Sequence, residues 1–147
     1  MDAVAAVQRL GVDYCHGADE RDLIRFLSVW HPDATWDVGG PTFTGHAEIR
    51  WAIERQWESL ARGHHWSTGL EVEVDGDSAV GRSVAHALTR GSDGTWRLSV
   101  GEYADLYARR DGRWAILRRT ATVTSSTVLA PRPETGLPTR GGGAEDG

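Results

Sequence analysis

Three turn signals divide the second half of the chain into long segments: Asp75-Gly76, Gly91-Ser92-Asp93-Gly94 and Asp111-Gly112. Gly and Asp tolerate the left-handed backbone that tight hairpins require. Before the first turn, Leu70, Val72 and Val74 alternate with Glu71 and Glu73, the period of a strand with one face buried. Residues 65–74, 78–90, 95–109 and 113–123 are therefore predicted to form four long strands joined by hairpins, an antiparallel meander. A sheet of that size needs a cover, and the first half of the chain supplies apolar stripes at helical spacing.

Asp2 can cap a first helix running to about His16, with Val4, Val7, Leu10 and Tyr14 along one side. Gly17 is expected to end it. Asp19 is placed to cap a second helix, Glu20 to Trp30, whose stripe is Leu23, Phe26, Leu27 and Trp30. His31-Pro32-Asp33 should stop that helix before a short strand at Ala34 to Val38. A third helix is expected from His46 to about Arg62, with Ile49, Ile53, Trp57 and Leu60 on one stripe. The order is helix, helix, strand, helix, then four long strands. It is α+β, with a curved, mostly antiparallel sheet wrapped around the N-terminal helices. The inner face of such a twisted sheet can hold a small ligand.

At 147 residues the chain has the size of one domain. The domain is expected over residues 1–126, and the Pro/Gly-rich residues 127–147 are expected to form a flexible tail. With a net charge of −5 and no Lys/Arg run, nucleic acid is not an expected partner. No stretch approaches the ~20 apolar residues of a membrane span. The start lacks the basic and apolar regions of a signal peptide, and Cys15 has no second cysteine to pair with, so a cytoplasmic location is expected. The histidines show no zinc-type spacing, and neither a metal nor an organic cofactor is expected.

The residues YCHGADERD from Tyr14, WHPDATWD from Trp30, His65-Trp66-Ser67-Thr68 and YARRDGRWAI from Tyr107 resemble the SnoaL-like branch of the nuclear transport factor 2-like superfamily. The resemblance covers about Val4 to Val123 and implies a cone-shaped α+β fold. Within that branch the pattern is most similar to the bile acid 7α-dehydratases. Hexachlorocyclohexane dehydrochlorinase and scytalone dehydratase resemble it more distantly. That pattern has a tyrosine, an aspartate five residues on, and a histidine opening the first long strand, which Tyr14, Asp19 and His65 match. The resemblance also places a second pocket histidine near His86 and an arginine near the end of the last strand. Arg118 and Arg119 both fit the latter, and Arg118 is taken as the candidate. It implies a homo-oligomer, dimer or trimer.

The chemistry of these residue types fits an elimination. Imidazole, with an ordinary pKa of ~6.5, is a suitable base for a carbon-bound proton at neutral pH. A carboxylate on its other nitrogen fixes the tautomer and stabilises the imidazolium. A phenol can donate to a substrate oxygen. The expected function is a cofactor-independent, dehydratase-type lyase acting on a small apolar, cyclic, hydroxylated compound, with His65 as base, Asp19 as its orienter and Tyr14 as donor. His16, Trp36, His86 and Arg118 are candidate pocket residues. Structural alternatives stand beside these roles. Asp19 can be only a helix cap, Tyr14 only core, and strict alternation lets either His64 or His65 face inward, so that the resemblance, not the spacing, selects His65. An isomerase or polyketide cyclase would use the same residues. A non-catalytic ligand-binding or dimerisation domain is the rival of another class; in the dimerisation case side chains would fill the cone, leaving no cavity of ~300 Å³ or more and Asp19 and His65 beyond hydrogen-bonding distance. An epoxide hydrolase set has only Arg82 and Asp105 as loose candidates.

Overall fold

The computed structural model describes residues 2–130. The element order is α1 (Ala3–Asp19), α2 (Leu23–Ser28), β1 (Trp30–Asp37), β2 (Thr42–Thr44), α3 (Gly45–Ser59), β3 (Leu60–Asp75), β4 (Ser78–Gly91), β5 (Trp96–Arg110) and β6 (Arg113–Leu129). The six strands form one sheet in the order β2-β1-β6-β5-β4-β3. Neighbours are antiparallel except β1 and β6, which run parallel. The three helices cover one face, as the apolar stripes demand, so the α+β arrangement expected for the chain is the one observed. The Asp-Gly turns form as their chemistry requires: Asp111 and Gly112 both have positive φ, and so does Gly76.

Several boundaries differ from the sequence expectation, each for a tertiary reason. Gly17 does not end α1. The helix continues through it to Asp19, and Gly17 is buried against α2. The second helix is six residues long, and its cap is Asp22, whose carboxylate accepts from the Arg25 N–H at 3.0 Å. Asp19 is thereby released from capping. Trp30 to Pro32 are strand, not helix end, because Trp30 pairs with Ile116 and the Ile116 N–H donates to the Val29 carbonyl at 2.7 Å. The third helix stops at Ser59, and Leu60 to Arg62 begin β3. The last strand runs to Leu129, with Leu98 opposite Thr127 and Trp96 opposite Leu129. It therefore extends three residues into the stretch assigned to the tail. Residues 131–147 of that stretch lie outside the described residues.

An aromatic cluster fills the space between helices and sheet. The Tyr14 ring lies 5.2 Å from Phe26, 6.0 Å from Trp30 and 6.3 Å from Trp36. Trp30, Trp36 and Trp114 are buried, whereas Trp51 and Trp66 are exposed. The tryptophans thus divide between core and surface.

A one-residue irregularity in β3 decides what faces the helices. Leu70 and Val72 point inward, opposite Gly81 and its neighbours on β4. Strict alternation from there would bring His64 inward. The β3–β4 register shifts between Thr68 and Glu71, at Gly69 with φ +63°. That bulge reverses the parity and brings His65 and Ser67 to the inner face.

Candidate active site

Asp19 is the last residue of α1 and His65 lies on the inner face of β3. Asp19 accepts twice from the same residue. Its Oδ1 lies 2.5 Å from His65 Nδ1, and its Oδ2 accepts from the His65 backbone N–H at 2.6 Å. The two side chains are 20% and 13% exposed. With Nδ1–H donated to the carboxylate, Nε2 is the free nitrogen and can accept a proton.

His65 stands where three cavities meet. A cavity of about 210 Å³ is lined by Tyr14, Trp36, His65, Ala87 and Tyr103, among others. A second, of about 380 Å³, adds Cys15, Ser67, Ser83, Tyr107 and Arg119. A third, of about 480 Å³, opens on the outer side of the pair, past Gly63 and Gln56. The first is the smallest, but it is the one that unites Tyr14 with His65. Its aromatic lining comes from α1, β1 and β5, and beside it lie the small residues Ala85, Ala87, Gly101 and Ala121. A flat apolar molecule fits such a surface.

Burial pushes the Tyr14 phenol well above its ordinary range, with Tyr103 adding and the Arg119 charge opposing. Tyr14 is therefore a protonated donor, not an anion. Burial likewise pushes the Cys15 thiol up to about 11, which keeps it an unreactive wall residue.

The remaining candidates distribute differently from expectation. Trp36 lines the Tyr14–His65 cavity. His16 is at the rim of the other two cavities, half exposed and paired with Glu20 at 2.8 Å. His86 belongs to the strand segment that walls the small cavity. Its ring, however, stacks on Trp66 at 5.0 Å and 2°, on the face of the sheet opposite His65. It is not a second inward histidine. Arg118 is exposed and pairs with Thr35 on the outer face, so the inward arginine is Arg119, 2% exposed. The choice turns on a bulge: Leu106 is opposite Arg118 but Tyr107 is opposite Ile116, leaving Leu117 unpaired. Arg82 is exposed and paired with Glu71, away from Asp105. Among the described residues no three His, Cys, Asp or Glu side chains gather as a metal-ligand set, and no helix is long and apolar enough to cross a membrane.

The sequence reading overlooked the group around Arg119. Tyr103, Asp105 and Tyr107 share one face of β5 and are all buried. A period-two run of tyrosine, aspartate and tyrosine was the signal available, because a carboxylate between two inward aromatics requires a buried partner.

The SnoaL-like domain family model matches residues 1–120. The gamma-hexachlorocyclohexane dehydrochlorinase of Sphingobium indicum is 30% identical over 130 residues, 86% of this chain and 83% of that protein. The crystal structure of a type 2 hexachlorocyclohexane dehydrochlorinase (LinA) superposes with a TM-score of 0.84 at 27% identity, covering 90% of this chain and 95% of that one. The LinA-type3 enzyme of Novosphingobium barchaimii gives 0.82 at 29% identity, covering 87% and 90%.

Proposed function

The chain belongs to the SnoaL-like domain family, and from that premise we propose that it is a cofactor-independent lyase that eliminates water from a small, apolar, cyclic hydroxy compound. The observation that carries the reading is the double contact of Asp19 on His65, at 2.5 and 2.6 Å, beside a cavity shared with Tyr14. A non-catalytic domain has no need to spend a carboxylate on orienting an imidazole at a cavity wall.

In the proposed step His65 Nε2 removes a proton from carbon. The C–H pair becomes the new double bond, and the C–O bond on the adjacent carbon breaks. Asp19 stabilises the imidazolium that forms. Tyr14 donates to the substrate oxygen, where charge develops. The proton taken by His65 passes on to the departing hydroxide, which leaves as water, and the imidazole is neutral again. A second reading, elimination of halide, is favoured by the relatives named for dehydrochlorination. It uses the same base, with chloride leaving in place of hydroxide.

Two probes separate these readings. 3-Hydroxycyclohexanone yields an absorbing enone on loss of water, and γ-hexachlorocyclohexane yields free chloride. Turnover of one is expected, and Asp19→Asn should lower it about 10²-fold or more, since the amide can neither fix the tautomer nor balance the imidazolium. Undiminished turnover in Asp19→Asn would remove the pair from the mechanism. Binding of both probes without turnover would favour a non-catalytic ligand-binding domain.

The homo-oligomer is carried into the proposal on the outer face of the sheet. There Val80, Val84 and Leu106 are 42–47% exposed beside Trp66 at 41%, interspersed with the Arg82–Glu71 pair and Glu102. Light scattering is expected to give a multiple of the chain mass for the wild type and a single chain for Val84→Glu. A monomeric wild type would overturn it.

A further inference from the structure

Arg119 is enclosed on four sides. Its Nε and Nη2 donate to the two oxygens of Asp105, its register partner on β5, both at 2.8 Å. The Tyr107 hydroxyl donates to the same carboxylate at 2.6 Å. The guanidinium carbon sits 4.3 Å from the centre of the Tyr14 ring and 4.0 Å from that of Tyr103. The side chains of the ion pair are only 3% and 1% exposed. Burial opposes the charge on Arg119, and Asp105 more than restores it.

A buried ion pair is weak evidence for stability, because apolar residues of the same volume often serve as well or better. What this one supplies is geometry. A bidentate carboxylate fixes the plane of a guanidinium, and a planar cation between two rings fixes their separation. The other aromatic neighbours of Tyr14 are the rings of Phe26, Trp30, Trp36 and Tyr103, of which Tyr103 also meets it hydroxyl to hydroxyl and is itself held against Arg119. Arg119 is committed to Asp105 through two of its three nitrogens, so its charge is already balanced before any substrate enters.

We propose that Asp105 is a positioning residue: by clamping Arg119 between Tyr14 and Tyr103 it seats the Tyr14 ring and aims its hydroxyl into the cavity shared with His65. The proposal rests on the reading of Tyr14 as the donor to the substrate oxygen. It gives Asp105 a function at one remove from the chemistry, through a cation that touches the reacting tyrosine.

The chain contains three tyrosines, and all three belong to this group. Phenolate difference absorbance at 295 nm, read over the pH range in which the protein stays folded, therefore reports on these three residues against a constant tryptophan background. Burial pushes all three phenols up, and Arg119 pulls each of them down. In Asp105→Asn the counter-charge near the phenols is lost, and the single acceptor oxygen of asparagine can no longer fix the plane of the guanidinium. Phenolate should then appear at lower pH than in the wild type, in protein whose far-ultraviolet circular dichroism shows it still folded. Turnover of whichever probe the wild type accepts should fall about tenfold in kcat with KM nearly unchanged, the mark of an interaction expressed in the transition state. Tyr14→Phe added to Asp105→Asn should then cost no more than about twofold further, because the two changes remove one interaction.

A folded Asp105→Asn with wild-type kcat and an unshifted phenol titration would overturn the clamp. A variant that fails to fold leaves Tyr107→Phe as the test. It removes one of the donors that hold the Asp105 carboxylate and should lower kcat by less than Asp105→Asn, with KM nearly unchanged, and wild-type kcat in folded Tyr107→Phe would overturn the proposal. If Tyr14→Phe alone keeps full turnover, the role of Tyr14 falls and the aiming falls with it, whereas the phenol titration of Asp105→Asn still tells whether Asp105, Arg119 and the tyrosines are coupled electrostatically.

Discussion

His65→Ala is expected to lower kcat by about 10²–10⁴-fold, the range a positioned general base contributes, with little loss of fold. The two effects separate because Asp19 holds His65 by its backbone as well as its ring. Alanine keeps the N–H that donates to Asp19 Oδ2 at 2.6 Å, so the end of α1 remains tied to β3. What disappears is Nε2. No neighbouring imidazole can replace it. His64 stacks on Trp96 with ring centres 6.4 Å apart, and His86 stacks on Trp66, both on the sheet face opposite His65. The truncated side chain leaves a void beside three existing cavities, so imidazole added to the buffer is expected to restore part of the lost turnover. Steady-state kinetics on the accepted probe, with and without imidazole, checks both statements. Wild-type kcat in the alanine variant would take His65 out of the reaction altogether.

Local chemistry made the framework legible. Asp75-Gly76 and Asp111-Gly112 announce hairpins because their backbone preference is local, and the structure puts turns there. The stripes that predicted helices are local too. What was not legible depends on contacts between distant residues. Asp19 reads as a helix cap only while Asp22 is ignored, and the choice between them is made by where α1 ends. Gly17 reads as a helix breaker, but its role is to let another backbone approach. Whether His64 or His65 faces inward turns on the bulge at Gly69, and whether Arg118 or Arg119 does turns on the bulge at Leu117. A single inserted residue reverses the face of everything beyond it. For His65 the family pattern selected the inward residue that alternation left open. For the arginines two adjacent positions matched, and only the ladder separates them. Asp105 was visible as an inward-facing acid from its place between Tyr103 and Tyr107, but its partner Arg119 on β6 was not.

Gly17→Ala should destabilise the fold by about 1–3 kcal/mol net, the range found for overpacked cores, although alanine is the better helix former by roughly 1 kcal/mol. An added methyl at Gly17 would stand 2.6 Å from the Phe26 nitrogen and 2.7 Å from its Cα. Both are backbone atoms, so no side-chain rotation relieves the clash, and α2 must move away from α1. Phe26 is fully buried and Asp19 lies two residues beyond Gly17 in the same helix. The same displacement should therefore loosen the core and draw the carboxylate away from His65. A fall of about 3–10 °C in Tm is expected for a domain of this size, together with a loss of turnover in the protein that remains folded. Gly40→Ala is the matched control, since nothing lies within 4 Å of the added methyl and its φ is not positive. Thermal unfolding of both variants separates steric cost from the general effect of replacing glycine. If Gly17→Ala were as stable as Gly40→Ala, α1 and α2 would not be in backbone contact. The close crossing that delivers Asp19 to His65 would then need another explanation.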